Sequence, residues 1–101
     1  MNEPLVVVLQ RRATREIEDV DAWWRQNRPA SPDLFLAELE SMLAATALMP
    51  ALGAAIRGER VPGLRRVLLR RTKYHVYYRV SGETLEVLAV WHAARGAGPG
   101  L

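Results

Sequence analysis

The chain has 101 residues, half of them apolar, with a net charge of +3 and no cysteine. That suffices for a single domain spanning 1–101 with its own core, and it excludes disulfides, a thiolate zinc site and a thiol nucleophile. The early apolar run Leu5–Leu9, stopped by Gln10, Arg11 and Arg12, is too short for a signal-peptide core or a membrane span, so a cytoplasmic protein with no membrane association is expected.

Leu5-Val6-Val7-Val8-Leu9 is short and β-branched, and its unbroken apolar character predicts a strand covered on both faces. From Arg11 the period changes. Ala13, Ile17, Val20 and Trp24 form one helical stripe, with Glu16, Glu18, Asp19, Asp21 and Arg25 mostly off it. Pro29 ends that helix near Asn27-Arg28. Ser31-Pro32-Asp33 reads as the next helix start, with Ser31 as cap, Pro32 at the first helical position and Asp33 complementing the dipole. Phe35, Leu39, Met42, Leu43 and Thr46 give its buried stripe, and Pro50 and Gly53 close it. The short link makes the two helices an antiparallel hairpin.

Pro50–Gly63 reads as one long loop, a feature often tied to function. Three strands follow: Leu64–Arg71, Tyr74–Val80 and Thr84–His92. If Gly82-Glu83 form a two-residue turn, Arg79 faces Glu86, Tyr78 faces Val87 and Val76 faces Ala89. One side of that hairpin is then Tyr74, Val76, Tyr78, Val80, Leu85, Val87, Ala89 and Trp91, which should pack on the helices. The other carries His75, Tyr77, Arg79, Glu86, Leu88, Val90 and His92. The tail Ala93–Leu101 is small and glycine-rich apart from Arg95. The expected fold is α+β: an N-terminal strand, a two-helix hairpin, and a three-stranded antiparallel meander forming one sheet on the helices.

Charge is unevenly spread. Residues 1–50 hold five Arg and eight acids (−3), whereas 51–101 hold eight Arg, one Lys and three acids (+6). Arginine forks suit phosphate and carboxylate partners. Arg57, Arg60, Arg65, Arg66, Arg70, Arg71 and Lys73 are therefore the candidate surface for an anionic or acidic target. With two histidines and no phosphate loop, no metal or other cofactor is expected. Ser31, Ser41 and Ser81 fall in a cap, a helix and a turn, which argues against a seryl nucleophile. His75, Tyr77, Arg79 and His92, with Arg66 and Arg70 from the preceding strand, form a set able to cleave RNA without metal. An imidazole or phenol would activate a ribose hydroxyl, and guanidinium groups would hold the phosphate charge. Trp24 and Trp91 are expected in the core, and Trp23 at the helix–sheet edge.

Four stretches in this order resemble the RelE/ParE superfamily of toxins from bacterial type II toxin–antitoxin operons. They are VVVLQRRATREIEDVDAWW, LFLAELESMLAATALMPALG, LRRVLLRRTKYHVYYRV and LEVLAVWHAARG. The resemblance implies a small toxin neutralised by a cognate antitoxin. It also implies one of two targets: messenger RNA on the ribosome for RelE-like members, or DNA gyrase for ParE-like members. For a nuclease it points to Arg66, Arg70 and Arg79 on the strands and to Arg95 beyond them. The chain lacks the C-terminal Tyr of RelE-like nucleases, and His92 is followed by Ala93. The His-x-x-Arg ending favours the ParE-like branch. A gyrase inhibitor is the leading expectation. A metal-free mRNA endoribonuclease using His75, Tyr77, Arg79, His92 and Arg95 is the alternative, and a non-toxic co-repressor is a third.

Overall fold

In the computed structural model, which describes residues 3–57 and 60–101, two helices pack on one face of a five-stranded sheet. The strand β1 (Val6–Leu9) runs directly into α1 (Arg11–Asn27). Gln10 precedes the helix without a side-chain cap; its amide is instead donated to Glu86. Ala13 and Ile17 are buried from α1, with Val20 and Trp24 packed around them, as the stripe requires.

The second helix, α2 (Leu34–Leu48), starts three residues after the expected cap. Ser31, Pro32 and Asp33 form the turn before it, and Asp33 is drawn to Arg25 of α1 at 2.7 Å instead of capping. Phe35, Leu39 and Thr46 are buried, with Met42 and Leu43 packed beside them.

The stretch read as a loop is more structured than expected. Pro50–Leu52 forms a 3-10 turn, and Ala54–Ala55 forms a short strand, β2. Gly58 and Glu59, within the same stretch, lie outside the described residues. The tyrosine at 78 fixes the first half. Its hydroxyl donates to the Pro50 carbonyl (2.6 Å) and accepts from the Gly53 N–H (2.8 Å). A Cβ at Gly53 would lie 2.5 Å from that same oxygen, so the close approach needs glycine.

The strands β3 (Arg65–Leu69), β4 (Tyr74–Ser81) and β5 (Thr84–His92) make the meander, and the full sheet order is β1-β5-β4-β3-β2. Only β1 is parallel to its neighbour, pairing Val6 with Thr84 and Leu9 with Val87. This corrects the reading of β1 as a strand covered on both faces. It lies at the sheet edge, and Val6 is 63 % exposed.

The β4–β5 turn is Gly82-Glu83, with Gly82 at φ +59°. Arg79 pairs with Glu86 and Tyr78 with Val87 as expected, but Val76 pairs with Val90, not Ala89. Leu88 is an extra residue, a β-bulge opposite Tyr77/Tyr78, and every side chain beyond it changes face. Val90 therefore joins the main core with Val76, Tyr78, Leu85 and Val87. Ala89 and Trp91, expected against the helices, join a smaller cluster on the outer face with Leu64 and Tyr77. On α1, Glu16 accepts the Val90 N–H just past the bulge at 2.9 Å.

Candidate functional site

The outer face of the sheet carries the chemistry anticipated from the strands. Cross-strand pairing sets Arg66 beside Tyr77, Leu68 beside His75 and Arg79 beside Glu86. Arg66 Nη1 donates to Tyr77 Oη over 3.4 Å, and the His75 and Tyr77 rings meet edge to face at 6.2 Å. Burial, helped by the nearby Arg66 charge, holds the His75 pKa below its ordinary 6.5. The imidazole is therefore neutral at physiological pH and able to accept a proton. Arg79 is spent differently: its guanidinium donates to Glu86 at 3.0 Å.

Arg66 and Tyr77 line a pocket of about 490 Å³ whose far wall is the chain's own tail, residues 97–101. That tail is strapped down. The Trp91 indole N–H donates to the Ala97 carbonyl at 2.6 Å, Arg12 donates to the Pro99 carbonyl, and Leu101 packs on the Leu64–Tyr77–Ala89 cluster. The Arg95 guanidinium lies 3.6 Å above the centre of the Trp91 ring. Sequence reasoning did not anticipate this wall, because two of its three ties end on backbone carbonyls, which have no signature in residue type.

The bulge separates His92 from the set it was expected to join. His92 lies on the helix side, edge to face with Tyr74 at 4.9 Å, and its Nδ1 accepts the Ala94 N–H at 3.0 Å. His75, Tyr77 and Arg66 are brought together; Arg79 is on the same face but paired; His92 is on the opposite face.

The remaining basic residues do not form one surface. Arg65 points toward the loop and donates to the Gly53 carbonyl at 2.6 Å. Arg70, Arg71 and Lys73 are exposed in the β3–β4 turn, where Lys73 takes a positive φ of 69°. Arg57 and Arg60 are exposed in the segment between β2 and β3. The β3–β4 turn is held by Glu38 of α2, a residue the sequence did not single out. It accepts from the Arg71 N–H (2.7 Å), the Thr72 N–H (3.0 Å) and the Thr72 hydroxyl (2.7 Å). Among the described residues no group of three or more His, Asp or Glu is placed to hold a metal ion, and no helix is long and apolar enough to cross a membrane.

Residues 7–96 match the family model described as the ParE toxin of the type II toxin–antitoxin system parDE. No curated protein matches the chain. Among solved structures, it is similar to a chain of the chromosomal ParDE system of P. aeruginosa, with TM-score 0.68 and 19 % identity over 87 % of this chain and 95 % of that one. The isolated E. coli RelE toxin is similar at TM-score 0.61 and 23 % identity, over 91 % and 87 % of the two chains. The intact E. coli RelBE toxin–antitoxin complex gives TM-score 0.61 and 22 % identity, over 90 % and 99 %. At these identities the structural likenesses establish a shared fold.

Proposed function

This chain belongs to the ParE toxin family of type II toxin–antitoxin systems, and on that premise we propose that it arrests growth by binding a protein, DNA gyrase, while a cognate antitoxin keeps it inactive. The observation that carries the reading is the dispersal of the nucleolytic set. His92 faces the helices, Arg79 is neutralised by Glu86, and residues 97–101 lie across the pocket that contains Arg66 and Tyr77. A scissile phosphate needs its base, its acid and its guanidinium groups converging on one point. A protein partner does not; it can engage separate basic patches at Arg57, Arg60, Arg70, Arg71 and Lys73.

The antitoxin side of the proposal rests on charge and on the relatives. The half of the chain from residue 51 carries +6, which suits an acidic partner segment. Two of the similar structures are described as toxin–antitoxin systems, ParDE and RelBE.

One observation favours a second reading, a metal-free mRNA endoribonuclease acting with the ribosome. A neutral His75, the Tyr77 phenol and the Arg66 guanidinium share one face. Transcript ends mapped after brief induction of the chain without its antitoxin separate the two. Under the gyrase reading no new ends arise, and the purified chain inhibits supercoiling by purified gyrase. New ends concentrated in translated message would replace that reading with the nuclease and make His75, Tyr77 and Arg66 its first candidates.

A further inference from the structure

On the helix side of the sheet, where α1 ends against the β3–β4 turn, lies a cleft distinct from the outer-face pocket, with Arg71 of the basic turn on its rim. It is about 340 Å³ and is lined by Trp23, Trp24, Arg28, Arg71, Tyr74 and His92. A second hollow of about 240 Å³ adjoins it, sharing Trp23, Tyr74 and His92 and adding Asp19, Arg95 and Glu16, whose carboxylate is already bonded to Arg12 and the Val90 N–H. Together they reach the size range of small-molecule sites.

The polar groups facing this space are mostly donors. Arg28 and Arg71 form no ion pair among the described residues. The Trp24 indole N–H is buried and makes no well-formed hydrogen bond, its polar neighbour being the Tyr74 hydroxyl on the same cleft wall. A buried donor left open is costly unless a ligand or water completes it. His92 accepts the Ala94 N–H through Nδ1, which leaves Nε2 as a further donor. Such a set takes an anion. The anion it fits also carries a flat ring, because Trp23 is 44 % exposed at the mouth and Arg28 lies 5.2 Å over its indole, an aromatic–cation wall of the kind on which bases stack. Asp19 supplies an acceptor suited to sugar hydroxyls.

We propose that this cleft binds a nucleoside monophosphate, with the phosphate between Arg28 and Arg71, the base on Trp23 and the ribose toward Asp19. The group is recognised alike as a free nucleotide or as the terminal nucleotide of a single strand. The site is on the opposite side of the sheet from Arg66, His75 and Tyr77.

The three tryptophans make the test direct, since Trp23 and Trp24 line the cleft while Trp91 is on the outer face. Indole N–H resonances of the full-length chain are followed by heteronuclear NMR during titration with AMP, with a single-stranded trinucleotide and with inorganic phosphate. The proposal expects saturable shifts of Trp23 and Trp24 with AMP, larger than any at Trp91, whose ring lies under Arg95 at the edge of the second hollow. Inorganic phosphate should bind about tenfold or more weakly. Arg28→Gln and Arg71→Gln, at exposed positions whose folding the same spectrum verifies, should each weaken AMP by about tenfold. A trinucleotide binding more tightly than AMP assigns the strand end as the natural source; the reverse assigns the free nucleotide. Motionless Trp23 and Trp24 at millimolar AMP, movement of Trp91 alone, inorganic phosphate binding as well as AMP, or full affinity in Arg71→Gln would each overturn it.

Discussion

Glu38→Ala is the sharpest probe of how the helices hold the sheet. The carboxylate accepts three donors from the β3–β4 turn, two of them from Thr72, which is only 4 % exposed. Hydrogen bonds to a charged group are worth about 1.5–3 kcal/mol each. Glu38 is part-exposed, and water replaces the lost partner at Arg71, so the expected loss is about 2–3 kcal/mol in total. Unfolding entropy of about 2 cal/mol/K per residue gives a domain of this length about 0.2 kcal/mol/K, and hence a fall in melting temperature of about 10–15 °C near neutral pH. Acid should narrow the gap. Burial alone raises the Glu38 pKa, but the Arg71 and Thr72 donors and the Arg71 charge outweigh it and leave it below the ordinary 4.5. The folded carboxyl thus gives up its proton more readily than the unfolded one. Its contribution is complete above the unfolded pKa and is lost as pH falls through the folded one. Melting curves of both proteins by circular dichroism, from neutral pH into strong acid, test both claims. A fall under about 3 °C at neutral pH, or a gap unchanged in acid, would refute the reasoning.

Tyr78→Phe strands the Gly53 N–H and the Pro50 carbonyl and should cost about 2 kcal/mol by chemical denaturation; a change within error would mean water satisfies both. Gly53→Ala should cost more, because its methyl group collides with the Tyr78 ring, and Tyr78→Phe in the same chain should recover only part of that. Because burial and Arg66 depress the His75 pKa, the unfolded chain binds this proton first as pH drops below about 6.5, and stability should decline there. His75→Gln should remove that component of the pH profile, and an identical profile would count against it. Trp91→Phe deletes the indole bond to Ala97 and should raise fast backbone motion at residues 97–101 in NMR relaxation without altering the core; unchanged relaxation would mean the other ties suffice.

The parts legible in the sequence are those where one periodicity had one explanation. The α1 stripe, Ala13 to Trp24, has no competing pattern, and a single tight turn at Gly82-Glu83 sets the Arg79–Glu86 pair. The failures share a cause. Val87 to Trp91 is apolar at every position, so no alternation marks Leu88 as the extra residue, and the faces of Ala89 through His92 come out inverted. Val6–Leu9 misleads in the same way: a run of apolar residues does not distinguish a central strand from an edge strand. At the candidate site, residue type located Arg66, His75 and Tyr77 on one face. It missed the tail wall and the Glu38 clamp, because both depend on backbone groups brought close only by the finished fold.

The parallel pairing of β1 with β5 has a consequence in time. Val6 must wait for Thr84, so almost the whole described chain has to be synthesised before the first strand finds its partner. The β4–β5 hairpin is local and can form early, whereas closing so long a loop is slow and comes late. Until then a newly made chain presents an unpaired row of valines, the kind of surface that invites aggregation or capture. For a chain of this toxin family, late closure of the strand separates the end of synthesis from the completion of the fold.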